Sequence, residues 1–282
     1  MFLRYNSGMT QILDCTVRDG GYLNDWNFSD REVLSLIECD RKNNVAFFEI
    51  GYRSNKRGSK FLRCSNEDIS KFVQNGIELL VMINVCDFNE NLIEENPKIK
   101  TVRIASHSWE LEKAIFICEK LLDNDYNVFL HIMNVKELTK NDYEILKNWK
   151  RKSEIISLYF ADSYGSFFPD DVEFFYNKIK NCGFERISFH SHNNLQTAFI
   201  NSLKAVELGA FSIDATLSGK GRGGGNLPLE LILTYLNREN IKEIFETYSP
   251  VMDKISLFTF KNIIGGIKNI HPKEIEKFLA AN

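Results

Sequence analysis

The chain has 282 residues, 44% hydrophobic and 26% charged, with a formal net charge of −3. This is the composition of an ordinary soluble globular protein, and the basic residues form no cluster that would suit nucleic acid. The polar start (residues 1–11) lacks a signal-peptide core, and no apolar run approaches the ~18 residues of a membrane span. A cytoplasmic protein that binds neither nucleic acid nor membrane is therefore expected. Six cysteines (Cys15, Cys39, Cys64, Cys86, Cys118 and Cys182) lie far apart with no C-x-x-C pair, so reduced, buried thiols are expected rather than a zinc finger or redox dithiol.

Short apolar runs alternate with amphipathic segments along the chain. Strands are predicted at residues 11–16, 46–51, 79–85, 101–105, 128–133, 155–161, 187–190 and 211–216. Their continuous apolar character suits strands buried on both faces of a parallel sheet. Helices are predicted at residues 30–43, 66–75, 110–123, 137–152, 169–182 and 195–208. Ser29 with Glu32 forms a capping-box pattern, Pro169 suits a first helical turn, and Gly183 and Gly209 stand where left-handed caps are wanted. Eight strands with intervening helices predict an α/β fold, a (β/α)8 TIM barrel, although a doubly wound sheet obeys the same local rules. The barrel takes residues 1–238, and residues 239–282 form a short C-terminal helical extension packed on it.

Residues 187–194 read as a strand ending in two histidines, His190 and His192. Side chains two apart on a strand share a face, so both imidazoles enter one space and suit a metal ion. Other polar residues gather at strand ends, where barrels of this kind place their chemistry. Arg18 and Asp19 follow strand 1, Glu49 lies in strand 2, Arg103 in strand 4 with His107 after it, and Asp162 ends strand 6. Singly, each has a structural explanation: an Arg18–Asp19 salt bridge, a buried Glu49–Arg103 pair, a helix-capping Asp162. Together, Asp19, His190 and His192 make a two-histidine, one-carboxylate set with open positions for water and substrate. Arg18 beside it suits negative charge developing on an oxygen. The Gly219–Asn226 stretch contains G-x-G-x-x-G but follows the last strand of the repeat, with no βαβ unit after it. A mobile lid, or a phosphate or carboxylate cradle, is expected there rather than a dinucleotide site.

The stretches 13–21 (LDCTVRDGG), 189–194 (FHSHNN) and 213–226 resemble the DRE-TIM metallolyases. That group includes HMG-CoA lyase, isopropylmalate and homocitrate synthases and 4-hydroxy-2-oxovalerate aldolase. The aldolase is the most similar, through residues 102–107 (VRIASH), 158–163 (LYFADS) and 194–207 as well. The resemblance implies that Asp19, His190 and His192 bind a divalent ion, Mn or Mg before Co, Zn or Fe. It also implies that Arg18 holds an enolate oxygen and that Asn226 lies at or near the metal. Where the aldolase has a proton-transferring His, this chain has Tyr22, so Tyr22, His107 or a metal-bound water takes that part.

The implied activity is that of a metal-dependent aldolase forming or cleaving a 4-hydroxy-2-oxo acid through a metal-bound pyruvate-type enolate. A 2-oxo acid and an aldehyde are its expected partners, with Glu49, Arg103, Asp162 and Asn226 expected at the substrate. A homodimer is implied by the same resemblance. A Claisen-type synthase joining acyl-CoA to a 2-oxo acid and a non-catalytic scaffold are the alternatives.

Overall fold

The structure, a computed structural model, describes residues 10–281. Eight parallel strands close into a barrel: β1 (Gln11–Asp14), β2 (Phe47–Tyr52), β3 (Glu78–Asn84), β4 (Thr101–Ser106), β5 (Asn127–Ile132), β6 (Ser157–Asp162), β7 (Ile187–Ser191) and β8 (Ser212–Ala215). Each strand pairs with its chain neighbour, and β8 returns to β1 with Leu13 opposite Asp214. Inward residues Leu13, Phe47, Leu80, Phe129 and Tyr159 fill the barrel. Their neighbours Phe48, Val81, Leu130 and Phe160 belong to the outer core beneath the helices. Burial on both faces is why the strands read as apolar runs rather than alternating patterns.

The helices are α1 (Thr16–Gly20), α2 (Asp30–Lys42), α3 (Asn66–Ile69), α4 (Leu111–Asp123), α5 (Lys140–Asn148), α6 (Pro169–Asn181), α7 (Ala198–Glu207), α8 (Leu229–Leu236), α9 (Ile241–Tyr248), α10 (Lys254–Lys268) and α11 (Ile275–Ala280). The Ser29–Glu32 capping box forms at the start of α2, Pro169 opens α6, and Gly183 and Gly209 are left-handed.

Several elements are shorter than the sequence pattern predicts. Strand β1 stops at Asp14 because its Oδ1 accepts the Thr16 amide (2.7 Å) and turns the chain into α1. Helix α3 ends at Ile69, gives way to a 3-10 turn at Ser70–Phe72, and is followed by extended Val73. Helix α5 starts only after the Thr139 cap with Asp142 and stops before extended Trp149. Helix α7 begins late because Gln196 is left-handed (φ 60°) and Asn193 Oδ1 accepts the Ala198 amide (3.1 Å). Between β3 and β4 the chain makes 3-10 turns at Val85–Asp87 and Glu90–Leu92.

After the barrel, α9 packs on α2 and α8, α10 on α8, and α11 on α10. The Tyr248 hydroxyl at the end of α9 donates to Asp40 Oδ1 (2.6 Å) on α2. The buried Asp40 carboxyl in turn interacts electrostatically with that of Asp14 on β1. Among the described residues no helix is long and apolar enough to cross a membrane.

Candidate active site

Arg18 and Asp19 lie on α1, the turn that leaves β1, and both are buried. Trp26 Nε1 donates to Arg18 O (3.0 Å) and fixes the backbone there. Arg18 Nε donates to Glu49 Oε2 (2.5 Å) and Nη1 to Asp19 Oδ1 (2.8 Å). Its Nη2 is buried and has no hydrogen-bond partner. Glu49 also accepts from Arg103 Nε (2.8 Å) and Nη2. Arg103 Nη1 donates to Asp214 Oδ2 (2.6 Å), which pairs with His190 Nδ1 (2.7 Å). Charges thus alternate from Asp19 through Arg18, Glu49 and Arg103 to Asp214, which holds the His190 ring. Such a chain compensates charges whose burial singly would cost several kcal/mol each.

Strand β7 delivers His190, and His192 follows it, its backbone bridged to Asn226 of the glycine loop. With His190 Nδ1 engaged by Asp214, Nε2 lies 3.9 Å from Asp19 Oδ2. Ligand atoms of Asp19, His190 and His192 all fall within 4.8 Å of one another. Asn226 Nδ2 donates to Asp19 Oδ2 (2.5 Å), while its Oδ1 is buried without a partner. One carboxylate and two imidazoles in one buried cluster, with an Asn226 amide whose oxygen is unpartnered held against the carboxylate, fit a divalent cation, and the Asp214–His190 bond is the usual carboxylate support for a ligating imidazole.

The electrostatics agree with that fit. Burial alone would raise the Asp19 carboxyl, but Arg18, the two histidines and the Asn226 amide hold it well below the ordinary carboxylate range. Burial, reinforced by His190, lowers His192 to about 4 and leaves it neutral. Asp214 is kept low against burial by Arg103 and His190. His131 of β5 is pushed well below its ordinary value by burial and by Arg103.

Above this set opens an inner pocket of about 220 Å³, whose wall includes Arg18, Tyr22, Tyr52, Cys86, His107 and His131. An outer pocket of about 240 Å³ adjoins it and shares His107, His192 and Arg222. Tyr22 is 40% exposed, its hydroxyl 3.0 Å from that of Tyr52. His107 follows β4 and stacks on Trp109. The sequence placed Glu49, Arg103, Asp162 and Asn226 at the substrate; none of the four stands in the wall of either pocket, Asn226 lying against Asp19 instead. Glu49 and Arg103 are consumed by the ion-pair chain. Asp162 accepts the Ser166 and Phe167 amides, both at 2.9 Å, and so braces the loop after β6.

Asp214, His131, Tyr52 and Arg222 were not singled out from the sequence. For Asp214 and His131 a signal existed, since each stands two residues from an inward neighbour on its strand, Ser212 and Phe129. The glycine loop is pinned rather than loose: Gly224 N donates to Asn194 Oδ1 (2.7 Å) and Asn193 N to Gly225 O (2.8 Å).

Fold and site together define a (β/α)8 barrel with a candidate divalent-metal centre at its C-terminal mouth. The HMGL-like family profile matches residues 9–251. The chain belongs to that family, the DRE-TIM metallolyases, which use a divalent metal. It is similar to an oxaloacetate decarboxylase of Mycobacterium tuberculosis, 23% identical over 80% of this chain and 70% of that protein. It is also similar to the 4-hydroxy-2-oxovalerate aldolase of Pseudoalteromonas translucida, 26% identical over 85% and 73% of the two chains. Among solved structures, the N-terminal domain of a candidate aldolase from Bacteroides vulgatus superposes with a TM-score of 0.72 at 26% identity, covering 96% and 97% of the two chains.

Proposed function

We propose that the protein is a divalent-metal-dependent aldolase that forms or cleaves a 4-hydroxy-2-oxo acid through a pyruvate-type enolate. Asp19, His190 and His192, with the Asn226 oxygen beside them, would hold the ion, which supplies Lewis-acid polarisation of the 2-oxo acid. The observation that carries the reading is the unpartnered Nη2 of Arg18 beside the ligand set. Glu49 and Asp19 clamp the rest of that guanidinium, so Nη2 presents its N–H groups to charge growing on the former keto oxygen.

Tyr22, backed by the Tyr52 hydroxyl, relays the proton released when the methyl C–H bond of the 2-oxo acid breaks: its oxygen accepts that proton as its own hydroxyl proton passes to solvent at the pocket mouth. The resulting carbon bonds to the aldehyde carbonyl carbon, and His107, which borders both pockets, returns a proton to the aldehyde oxygen. The reverse order cleaves the product. Loss of CO2 from a 2-oxo diacid passes through the same enolate, and pyruvate release from oxaloacetate tests for that chemistry.

The primary test is proton NMR of pyruvate in D2O with Mg- or Zn-loaded protein. The methyl signal should fade with wild type, and Arg18→Ala should slow this by about 10²–10³-fold while metal analysis shows the ion retained. Full exchange in the variant refutes the role of Arg18. No exchange with any divalent ion refutes the aldolase reading.

A further inference from the structure

The outer pocket is unlike the rest of the site in its charge. Asn134, Ser163, Tyr164 and Asn194 contribute to its wall, no carboxylate does, and Arg222 is its one guanidinium or ammonium group. Arg18 and Arg103 are matched by Asp19, Glu49 and Asp214. The Arg222 guanidinium, by contrast, has no ion pair among the described residues. It lies over the Tyr22 ring, 4.7 Å from the centroid, so its head is turned across the barrel mouth. Its backbone is fixed as well. Gly225 N donates to Arg222 O (3.0 Å), and the following glycines are bonded to Asn193 and Asn194.

We propose that Arg222 binds an anionic group, a carboxylate or a phosphate, on the part of the substrate that lies beyond the pyruvate unit. The inference rests on the aldolase reading and narrows it: the aldehyde is a charged one. A planar guanidinium offers paired donors matched to carboxylate or phosphate oxygens, and a neutral aldehyde leaves that charge unanswered. The glycine loop thus serves as the anion cradle its composition suggests, through a side chain it holds in place.

Aldol turnover with pyruvate is compared for succinic semialdehyde, glyceraldehyde 3-phosphate and propanal. Wild type should favour a charged aldehyde in kcat/KM, and Arg222→Gln should cut the charged-to-neutral ratio by about tenfold or more. Arg222→Lys should restore part of the ratio. The charged aldehyde with the larger Arg222 dependence identifies carboxylate or phosphate as the natural group. A ratio unchanged in Arg222→Gln, or a wild-type preference for propanal, overturns the proposal.

Binding without turnover separates this inference from the one beneath it. Saturation-transfer NMR on metal-loaded protein should show succinate or glycerol 3-phosphate bound to wild type and released in Arg222→Gln. Binding of neither to wild type overturns the proposal. Binding through Arg222 with no pyruvate exchange overturns the aldolase reading and leaves standing only the Arg222 anion site, not its assignment to an aldehyde.

Discussion

Asp214 ties the candidate ligand His190 to the ion-pair chain beneath the pocket. Asp214→Asn keeps the shape but loses the charge that orients the imidazole and makes it a stronger donor. Metal affinity, read by titration against a chelating dye, should fall about 10–100-fold; unchanged affinity refutes the assignment. The two proton-handling residues separate in the same way. Tyr22→Phe should slow pyruvate methyl exchange by about 10²-fold or more. His107→Gln should lower aldol turnover more than it lowers exchange. The reverse pattern exchanges their roles. The ligand set itself was readable, because histidines two apart on a strand must share a face. For Asp214 strand alternation gave the face but not the role, because an acid inside an apolar run reveals its partner only once the register of β8 against β1 and β7 is known. Arg222 was hidden differently: its meaning depends on the absence of carboxylates from a wall contributed by distant loops.

At the scale of elements, the glycine loop shows how backbone geometry sets side-chain position. Gly225 has a φ of 86°, and a Cβ there would lie 2.3 Å from Gly219 O. Gly225→Ala should therefore cost about 1–3 kcal/mol in urea unfolding and weaken metal binding by moving Asn226. Gly266 is the control: it is exposed on α10, and a Cβ there would meet nothing within 4 Å. Alanine at that position should stabilise by about 0.5–1 kcal/mol. Equal effects at both positions would refute the steric argument. The eight strands were legible because two-sided burial leaves an apolar run that no surface helix shares. The helix ends were less so. At Gln196 and Val73 the chain departs from the helix through backbone angles that side-chain periodicity does not encode.

Across the whole molecule, Asp14, Asp40 and Tyr248 join the barrel, its first outer helix and the C-terminal extension. Burial pushes Asp14 up to about 6 and raises Asp40 well above its ordinary value, with the neighbouring Asp14 charge adding to it. The folded state thus holds protons that the unfolded chain releases from the ordinary Asp value of 3.8 upward. Their contribution is complete below that value and declines as pH rises through about 6. Unfolding free energy should fall from about pH 4 upward through about pH 6, and Asp40→Asn should flatten the decline, gaining about 1–2 kcal/mol at the upper end. A parallel pH profile in the variant would exclude this pair as the source.

Five of the six cysteines are buried, and burial raises each of their thiols. Cys86 is the exposed one, and it stands in the wall of the inner pocket. The native chain therefore carries its own attachment point for a reporter. A small alkylating reagent should add once, at Cys86, and a 2-oxo acid seated in the pocket should slow that addition in a time course followed by mass spectrometry. Labelling indifferent to the acid would place the bound molecule elsewhere. A fluorophore joined there would turn occupancy into a change of emission, with no need to know the second substrate.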